Sequence, residues 1–461
     1  MSQGKRTSTA STSAILIQDS SCGSSSGSAS ASPQPSPKKR GRHTDQPISA
    51  NASSPRSNNE PSKSLKSVIV VDSDDDDVRV SSKYDDVVDI ACPDSNSTPR
   101  FLHGCIRTTP IPGFSDPDNS VHLSQLIAPD GLQKAIISTF VLDFNWLLSM
   151  LPPSTRLCLI RHWDPGTGDR PGVFQITENI VAVHPSVARY GSIHAKFAVL
   201  FYPTYVRVIV SSANYIPYDW EAIQNVVYVQ DFSYRNGPNQ AASRSGDPDP
   251  KQFGLTLIAM LEAMGAPKSV VESISTIDFS TATGYLVASV PRASDPYLQV
   301  SESQHTADSE HEPISTHELQ FGLNRLRQLS RNMYPPDYTP SKIQYISSSL
   351  GYNEPDFIFT MIDALCPRPP PYDGSQGSPP KHRWPSPEAL QIGFPTYRQV
   401  VESRFGLAGG GTIFLNRVAY LRDAFPKKSL YKYQSKQMGI LSHAKVAVVS
   451  GGYGKYKDKA W

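Results

Sequence analysis

The tripeptide His-Ala-Lys occurs twice, and each copy leads into an unbroken apolar run. The segments are Tyr190-Gly-Ser-Ile-His194-Ala-Lys196-Phe-Ala-Val-Leu-Phe-Tyr202 and Leu441-Ser-His443-Ala-Lys445-Val-Ala-Val-Val449. Successive side chains of a β-strand alternate faces, so a strand here projects His194 and Lys196 to one side and Ala195 and Phe197 to the other. A nucleophile and a cation are then presented together. Among 11 histidines a single His-x-Lys arises by chance about half the time. Two identical copies, a domain's length apart and both opening apolar runs, are much harder to ascribe to chance.

At 461 residues the chain can hold two or three domains with large cores. Its 44 Lys and Arg nearly balance 42 Asp and Glu, which says little about partners because an acidic tail can mask a basic groove. The five cysteines, Cys22, Cys92, Cys105, Cys158 and Cys366, are scattered and contain no Cys-x-x-Cys pair. They indicate neither a disulfide framework nor a zinc site, and they fit a reducing intracellular compartment. No uncharged apolar run reaches the roughly 18 residues of a membrane span, and no basic-then-apolar leader opens the chain, so no membrane association is expected.

Residues 1–97 are rich in Ser, Pro, Asn and Asp and poor in aromatics, and such a segment buries too little apolar surface to offset its ordering entropy. A disordered tail is expected. Within it, Pro37-Lys-Lys-Arg40-Gly-Arg42 is a basic cluster of the kind read by nuclear import receptors, with a solvated charge run as the alternative. Val68-Ile69-Val70-Val71 abuts Asp72-Ser-Asp-Asp-Asp-Asp77 and looks like a SUMO-interaction motif. The apolar four would add an edge strand to the partner's sheet while the acidic run pairs with basic residues beside the groove. An accidental apolar patch is the alternative. Nuclear localisation and SUMO or SUMOylated partners are the expectations.

Order is expected from about Arg100 onward. Leu132, Ile136, Phe140, Phe144, Leu147 and Leu151 recur at helical spacing before Pro152-Pro153, which predicts one amphipathic helix. Residues 155–161, 179–184, the run carrying His194, 205–212 and 225–229 read as strands. Helices are expected at about 251–264 and 317–329. This mixture argues an α/β sandwich. Asn214 lies where the strand after His194 runs out, in Ser211-Ser-Ala-Asn214-Tyr-Ile-Pro-Tyr-Asp219-Trp220, and Gln224 opens the next strand. Strand ends are where α/β sheets place working residues.

With Gly-x-x-His-x-Lys, an Asn twenty residues after the His, then Asp-Trp and a Gln, the segment Tyr190–Asn225 resembles tyrosyl-DNA phosphodiesterases of the phospholipase D superfamily. Phe144-Asn-Trp146-Leu is similar to that family's Asp-x-x-Trp-Leu helix, with Asp143 one place early for the acidic position. Gln344-Tyr-Ile-Ser347-Ser348-Ser349-Leu350-Gly351 looks like its Ser-rich DNA-contacting turn. Phe394-Pro-Thr396 and Gly409-Gly-Gly411 fit the stretch before its second motif. Ordinary phospholipases place Asp six residues after the motif Lys, where this chain has Tyr202 and Gly451.

The resemblance implies an α/β fold of two phospholipase D-like lobes, each a mixed sheet sandwiched by helices, with the active site between them. Residues 98–290 would form the N-terminal lobe and 291–461 the C-terminal lobe, with insertions at about 292–316 and 367–388. It implies that His194 attacks the phosphorus of a 3′-phosphotyrosyl DNA linkage and forms a phosphohistidine. His443 would protonate the departing phenolate and then activate water. Lys196, Lys445 and Asn214 would bind the non-bridging oxygens, each worth typically about 3 kcal/mol in the transition state. Gln224 would orient the intermediate or water, an ordinary strand-end polar residue being the alternative. No cofactor or metal is implied.

Tyr190 could stack on a base, and Ser347, Ser348 and Ser349 could donate to backbone phosphates; a rim tyrosine and a plain polar turn are the alternatives. The partners implied are single- or double-stranded DNA with 3′-blocked ends and a topoisomerase-derived peptide as leaving group, with the protein a monomer. The first motif's spacing puts a second Asn near position 463, past Trp461, so an incomplete second lobe is expected. That leaves a catalytically impaired DNA- or SUMO-binding adaptor, or a phospholipase D-type nuclease, as competing readings.

Overall fold

The computed structural model describes residues 101–116, 118–163, 169–187, 191–235, 249–290, 321–334, 339–351, 355–365, 389–433 and 435–452. The tail motifs at Pro37–Arg42 and Val68–Val71, the position of Tyr190, and the two expected insertions lie outside these residues.

Eight strands form the first sheet: β1 (Cys105–Thr108), β2 (Lys134–Thr139), β3 (Arg156–Arg161), β4 (Gly172–Thr177), β5 (Ile180–His184), β6 (Phe197–Phe201), β7 (Val206–Ser211) and β8 (Val226–Phe232). Their order is β1-β8-β7-β6-β2-β3-β5-β4. Short helices α1 (Leu123–Ile127), α2 (Phe144–Ser149) and α3 (Pro217–Glu221) precede the longer α4 (Phe253–Ala263) and α5 (Lys268–Ile274).

Alternation along β6 decides what each face meets. Phe197, Val199 and Phe201 pack with Leu257 and Leu261 of α4 and Val270 and Ile274 of α5. Ala198 and Leu200 pack with Leu126 of α1, Leu147 of α2 and Trp220 of α3. Both faces of the central strands are therefore covered, which is why β2, β3, β6, β7 and β8 read as nearly continuous apolar runs.

The second sheet is built from β9 (Thr339–Ile346), β11 (Leu390–Phe394), β13 (Leu430–Lys432) and β14 (Val446–Gly452); β10 (Ser349–Gly351) and β12 (Phe414–Leu415) pair separately. Helices α6 (Gly322–Met333) and α7 (Pro355–Leu365) supply Leu326, Ile358, Met361 and Ile362 to its core, with Val400 from α8 (Tyr397–Val401). The remaining short helix is α9 (Arg417–Leu421).

The sequence duplication has a topological counterpart. In the first sheet β6, which follows His194, is antiparallel to β2, which is parallel to β3, itself parallel to β5. In the second, β14, which follows His443, is antiparallel to β9, which is parallel to β11, itself parallel to β13. The same four-strand order, β6-β2-β3-β5 and β14-β9-β11-β13, thus carries each His-Ala-Lys.

Three local expectations are corrected. The single helix expected over 132–151 is a strand, β2, followed by the six-residue α2. Ile136, Ile137 and Thr139 are β-branched and buried in a strand covered on both sides, and such a run mimics helical spacing. Asp143 caps α2, its carboxylate accepting from the Trp146 amide at 3.0 Å. His194 and Lys196 lie just before β6 rather than inside it, as His443 and Lys445 lie just before β14. The segment at Lys196 is held by the Ser138 hydroxyl donating to the Ala195 carbonyl at 2.9 Å and the Ser211 amide donating to the Lys196 carbonyl at 2.9 Å. The helix expected near 317–329 runs from Gly322 to Met333.

Register between β7 and β8 is pinned by Arg207 opposite Asp231. The guanidinium donates twice, Nε to Oδ1 at 2.7 Å and Nη2 to Oδ2 at 3.0 Å, and both side chains are fully buried. Nη1 donates to the Leu126 carbonyl at 2.9 Å, and Phe101, Tyr205 and Tyr202 rings surround the cation. A one-residue slip would turn this pair to the wrong face and displace Ser211, Asn214 and Asn225 at the far end of the strands. Asp231→Ala, which strands a buried guanidinium, should lower unfolding free energy by about 3–5 kcal/mol in urea titrations.

Candidate active site

The two sheets meet at their motifs. The Gln224 amide donates to the Leu441 carbonyl at 2.9 Å, and the His443 amide donates to the Gln224 carbonyl at 2.8 Å, a parallel bridge between residues 224 and 442. Tyr218 of α3 reinforces this seam by donating to the Gly409 carbonyl at 3.0 Å and packing on Phe405. Gly409 is required there: a Cβ would fall 2.9 Å from the Phe405 Cβ, in the 3₁₀ turn Gly406–Thr412.

Both motifs fold the same way. The Lys196 ammonium donates to the His194 carbonyl at 2.8 Å and lies 3.1 Å from His194 Nδ1. The Lys445 ammonium donates to the His443 carbonyl at 2.8 Å. Lys196 is 2 % exposed and Lys445 8 % exposed, so their charges act where water screens poorly and attract an anion far more strongly than surface lysines would. Phe140 packs on His194 at 4.8 Å between ring centroids and on His162 at 5.1 Å.

Burial, followed by Lys196, Lys445 and His162, lowers the pKa of His194 from 6.5 to about 3. Burial, followed by Lys445, Lys196 and His194, holds His443 well below its ordinary value. Each histidine thus feels the other lobe's lysine, and both rings are neutral near pH 7. A neutral imidazole keeps the lone pair that nucleophilic attack requires.

The His443 ring is oriented by a chain of fixed donors. The Val226 amide donates to Ser212 Oγ at 3.0 Å, so the Ser212 hydroxyl donates onward to Asn225 Oδ1 at 2.8 Å. Asn225 Nδ2 donates to the Asp219 carbonyl at 2.7 Å, which fixes the amide's orientation. Asn225 Oδ1 then accepts from His443 Nδ1 at 3.2 Å, leaving Nε2 as the basic nitrogen. Asn214 is 5 % exposed; its Oδ1 accepts from the Val141 amide at 3.0 Å and its Nδ2 donates to Asp219 Oδ2 at 2.8 Å. One amide hydrogen remains for an anion.

His194, Lys196, Asn214, His443 and Lys445 are therefore brought together. Gln224 contributes through its backbone; its side chain lies 3.4 Å from Ser435 Oγ, while the neighbouring Asn225 touches the histidine. Sequence reasoning does not reach Asn225, because the chain offers two adjacent amides with nothing to rank them. Ser347 and Ser348 are buried, and Ser347 Oγ donates to the Ser349 carbonyl at 2.8 Å within its own turn. Ser347 also lines a cavity of about 220 Å³ with Ser435 and Ser442, beside the seam.

A duplicated sheet topology that presents one His-x-Lys pair per copy at a shared seam places this chain in the phospholipase D fold, and solved structures agree. The crystal structure of the yeast tyrosyl-DNA phosphodiesterase superposes with a TM-score of 0.50 at 13 % identity, covering 75 % of this chain and 80 % of that one. A mutant of the same yeast enzyme gives 0.51 at 14 % identity, over 75 % and 81 %. The family model described as tyrosyl-DNA phosphodiesterase matches residues 106–461, and the chain belongs to that family. It is 26 % identical over 212 residues to tyrosyl-DNA phosphodiesterase 1 of Arabidopsis thaliana, covering 43 % of this chain and 34 % of that one. It is 28 % identical over 201 residues to a probable tyrosyl-DNA phosphodiesterase of Caenorhabditis elegans, covering 41 % and 42 %. The matches thus span less than half the length of these two relatives.

In the phosphodiesterase reaction proposed below, Asn225→Ala should cut kcat about ten- to a hundredfold in steady-state assays, part of the roughly 10²–10⁴-fold that a positioned proton carrier supplies, while Gln224→Ala stays within about threefold. Stability should depend on pH through the two histidines. Their folded pKa values are depressed, so below about 6.5 the unfolded chain binds more protons. The contribution is complete above 6.5 and is lost as pH falls toward about 3. His194→Asn with His443→Asn should flatten the fall in urea midpoint between pH 7 and 4 relative to wild type.

Proposed function

We propose that the chain is a DNA-repair phosphodiesterase that hydrolyses 3′-phosphotyrosyl linkages left by topoisomerase, through a phosphohistidine on His194. The observation that carries this reading is the mutual arrangement of the motifs: two neutral imidazoles, each within the field of both lysines, on either side of one backbone bridge.

His194 attacks phosphorus as the tyrosyl oxygen departs, the buried ammonium groups of Lys196 and Lys445 and the remaining Asn214 amide hydrogen holding the non-bridging oxygens. Such preorganised donors cost no reorganisation as charge develops. The bound phosphodiester anion offsets the field of Lys196 and Lys445 at His443, so Nε2, aimed by Asn225, takes up a proton from solvent as substrate binds, gives it to the leaving group, and recovers one from the water that releases a DNA 3′-phosphate. DNA with a 3′-blocked end is the substrate, Ser349 and its turn contact backbone phosphates, the tail binds SUMO or SUMOylated proteins, and the protein works in the nucleus.

A 3′-phosphotyrosyl oligonucleotide incubated with the chain tests the reaction. Turnover should persist in EDTA. His194→Ala should lose at least about a thousandfold in kcat, as removal of a nucleophile does. His443→Ala should accumulate a covalent DNA adduct on denaturing gels; turnover by His194→Ala at the wild-type rate would overturn the assignment.

A further inference from the structure

Asp219 is the buried ionisable group at the seam that the mechanism above leaves unused. It lies in the first turn of α3 and is 1 % exposed. One oxygen, Oδ2, accepts from the Asn214 amide at 2.6 Å and from Asn214 Nδ2 at 2.8 Å, and stands 3.8 Å from His443 Nδ1. The other, Oδ1, is buried with no hydrogen-bond partner among the described residues. A carboxylate with half its accepting capacity idle is costly to bury, and this one touches one proposed phosphate ligand and neighbours the proposed proton carrier.

On the reading that His443 shuttles the leaving-group proton, we propose that Asp219 is the positioning residue and counter-charge of the site. It fixes the Asn214 amide toward the phosphate, and it balances the imidazolium that His443 becomes whenever Nε2 holds a proton. The charged groups that face the pair are Lys196 and Lys445, with His194 adding to the field at His443. The two lysines oppose a third cation on His443, and Asp219 opposes them. Protonation occurs at Nε2, Nδ1–H stays directed at Asn225 Oδ1, and Asp219 gives up no proton. Burial raises the Asp219 carboxyl while the Asn214 bonds and the two lysines lower it. Its charge is therefore favoured most when the lysines are near.

The test compares wild type and Asp219→Asn on two 3′-phosphodiester oligonucleotides, one with a 4-nitrophenyl leaving group and one with the more basic tyrosyl group. The variant should lose about ten- to a hundredfold in kcat on the tyrosyl substrate, several times less in the first turnover of the nitrophenyl substrate, and little in KM on either. Equal losses on both substrates, or no loss, would overturn the proposal, because a merely structural role does not sense leaving-group basicity.

A second measurement does not need turnover. NMR titration of the His443 ring should show protonation at lower pH in Asp219→Asn than in wild type; superimposable curves would overturn the counter-charge. If that variant does not fold, His443→Gln should displace the titration of the Asp219 carboxyl, since the coupling is reciprocal, and an unmoved carboxyl overturns the proposal. A wild-type chain inert on both substrates while the His443 titration responds to Asp219 would count against the proposed reaction and not against the pairing.

Discussion

Two backbone hydrogen bonds, Gln224 N–H to Leu441 and His443 N–H to Gln224, set the distance between the two halves of the site. They join the segment entering β8, an interior strand of the first sheet, to the segment entering β14, an edge strand of the second, as distant along the chain as Asn225 and His443, which are 218 positions apart, and no side chain is needed to make them. Once they form, Asn225 has no choice but to meet His443, and each lysine enters the field of the opposite histidine. Shifting the seam by one residue would exchange Asn225 for its neighbours and turn the ring's partner away. Tyr218 packs on Phe405 beside the bridge, an arrangement permitted by the missing Cβ at Gly409.

The electrostatics follow from that closure. Burial of the rings comes first and the two buried lysines facing them come second in holding both histidines neutral. A neutral ring suits the nucleophile proposed for His194 and handicaps the proton carrier proposed for His443, and the two rings have different surroundings. His194 packs on Phe140 beside its own lysine, whereas His443 sits among Asn225, Ser212 and Asp219. Identical tripeptides thus meet different walls, and differing environments are the general way titratable pairs take separate roles.

Much of the fold could be read from local pattern. β3, β5, β7, β8 and α4 fall where apolar runs and helical spacing put them, because each run is long enough to declare its period and is bounded by turn residues. β2 could not be read this way: Ala135-Ile-Ile-Ser-Thr139 is buried on both faces, so it lacks alternation, and its apolar neighbours Leu132 and Phe140 chance to fall at helical intervals. Within the site, the two His-Ala-Lys copies and Asn214 were legible from motif spacing. Gln224 and Asn225 were not separable in the same way, because both are amides at the start of one strand and only the arrival of the partner sheet gives one of them a histidine to hold.

The sequence by itself determined the duplication, the residue types that could attack and neutralise a phosphate, and the family to which they belong, since all of these are written in short spacings along the chain. Tertiary structure alone decided which amide orients His443, that Asp219 stands beside it, and that both histidines are neutral. Those outcomes depend on contacts such as that between Asn225 and His443, 218 positions apart, and on the burial of His443, Asp219 and both lysines. A local pattern carries no information about the field that another lobe will impose.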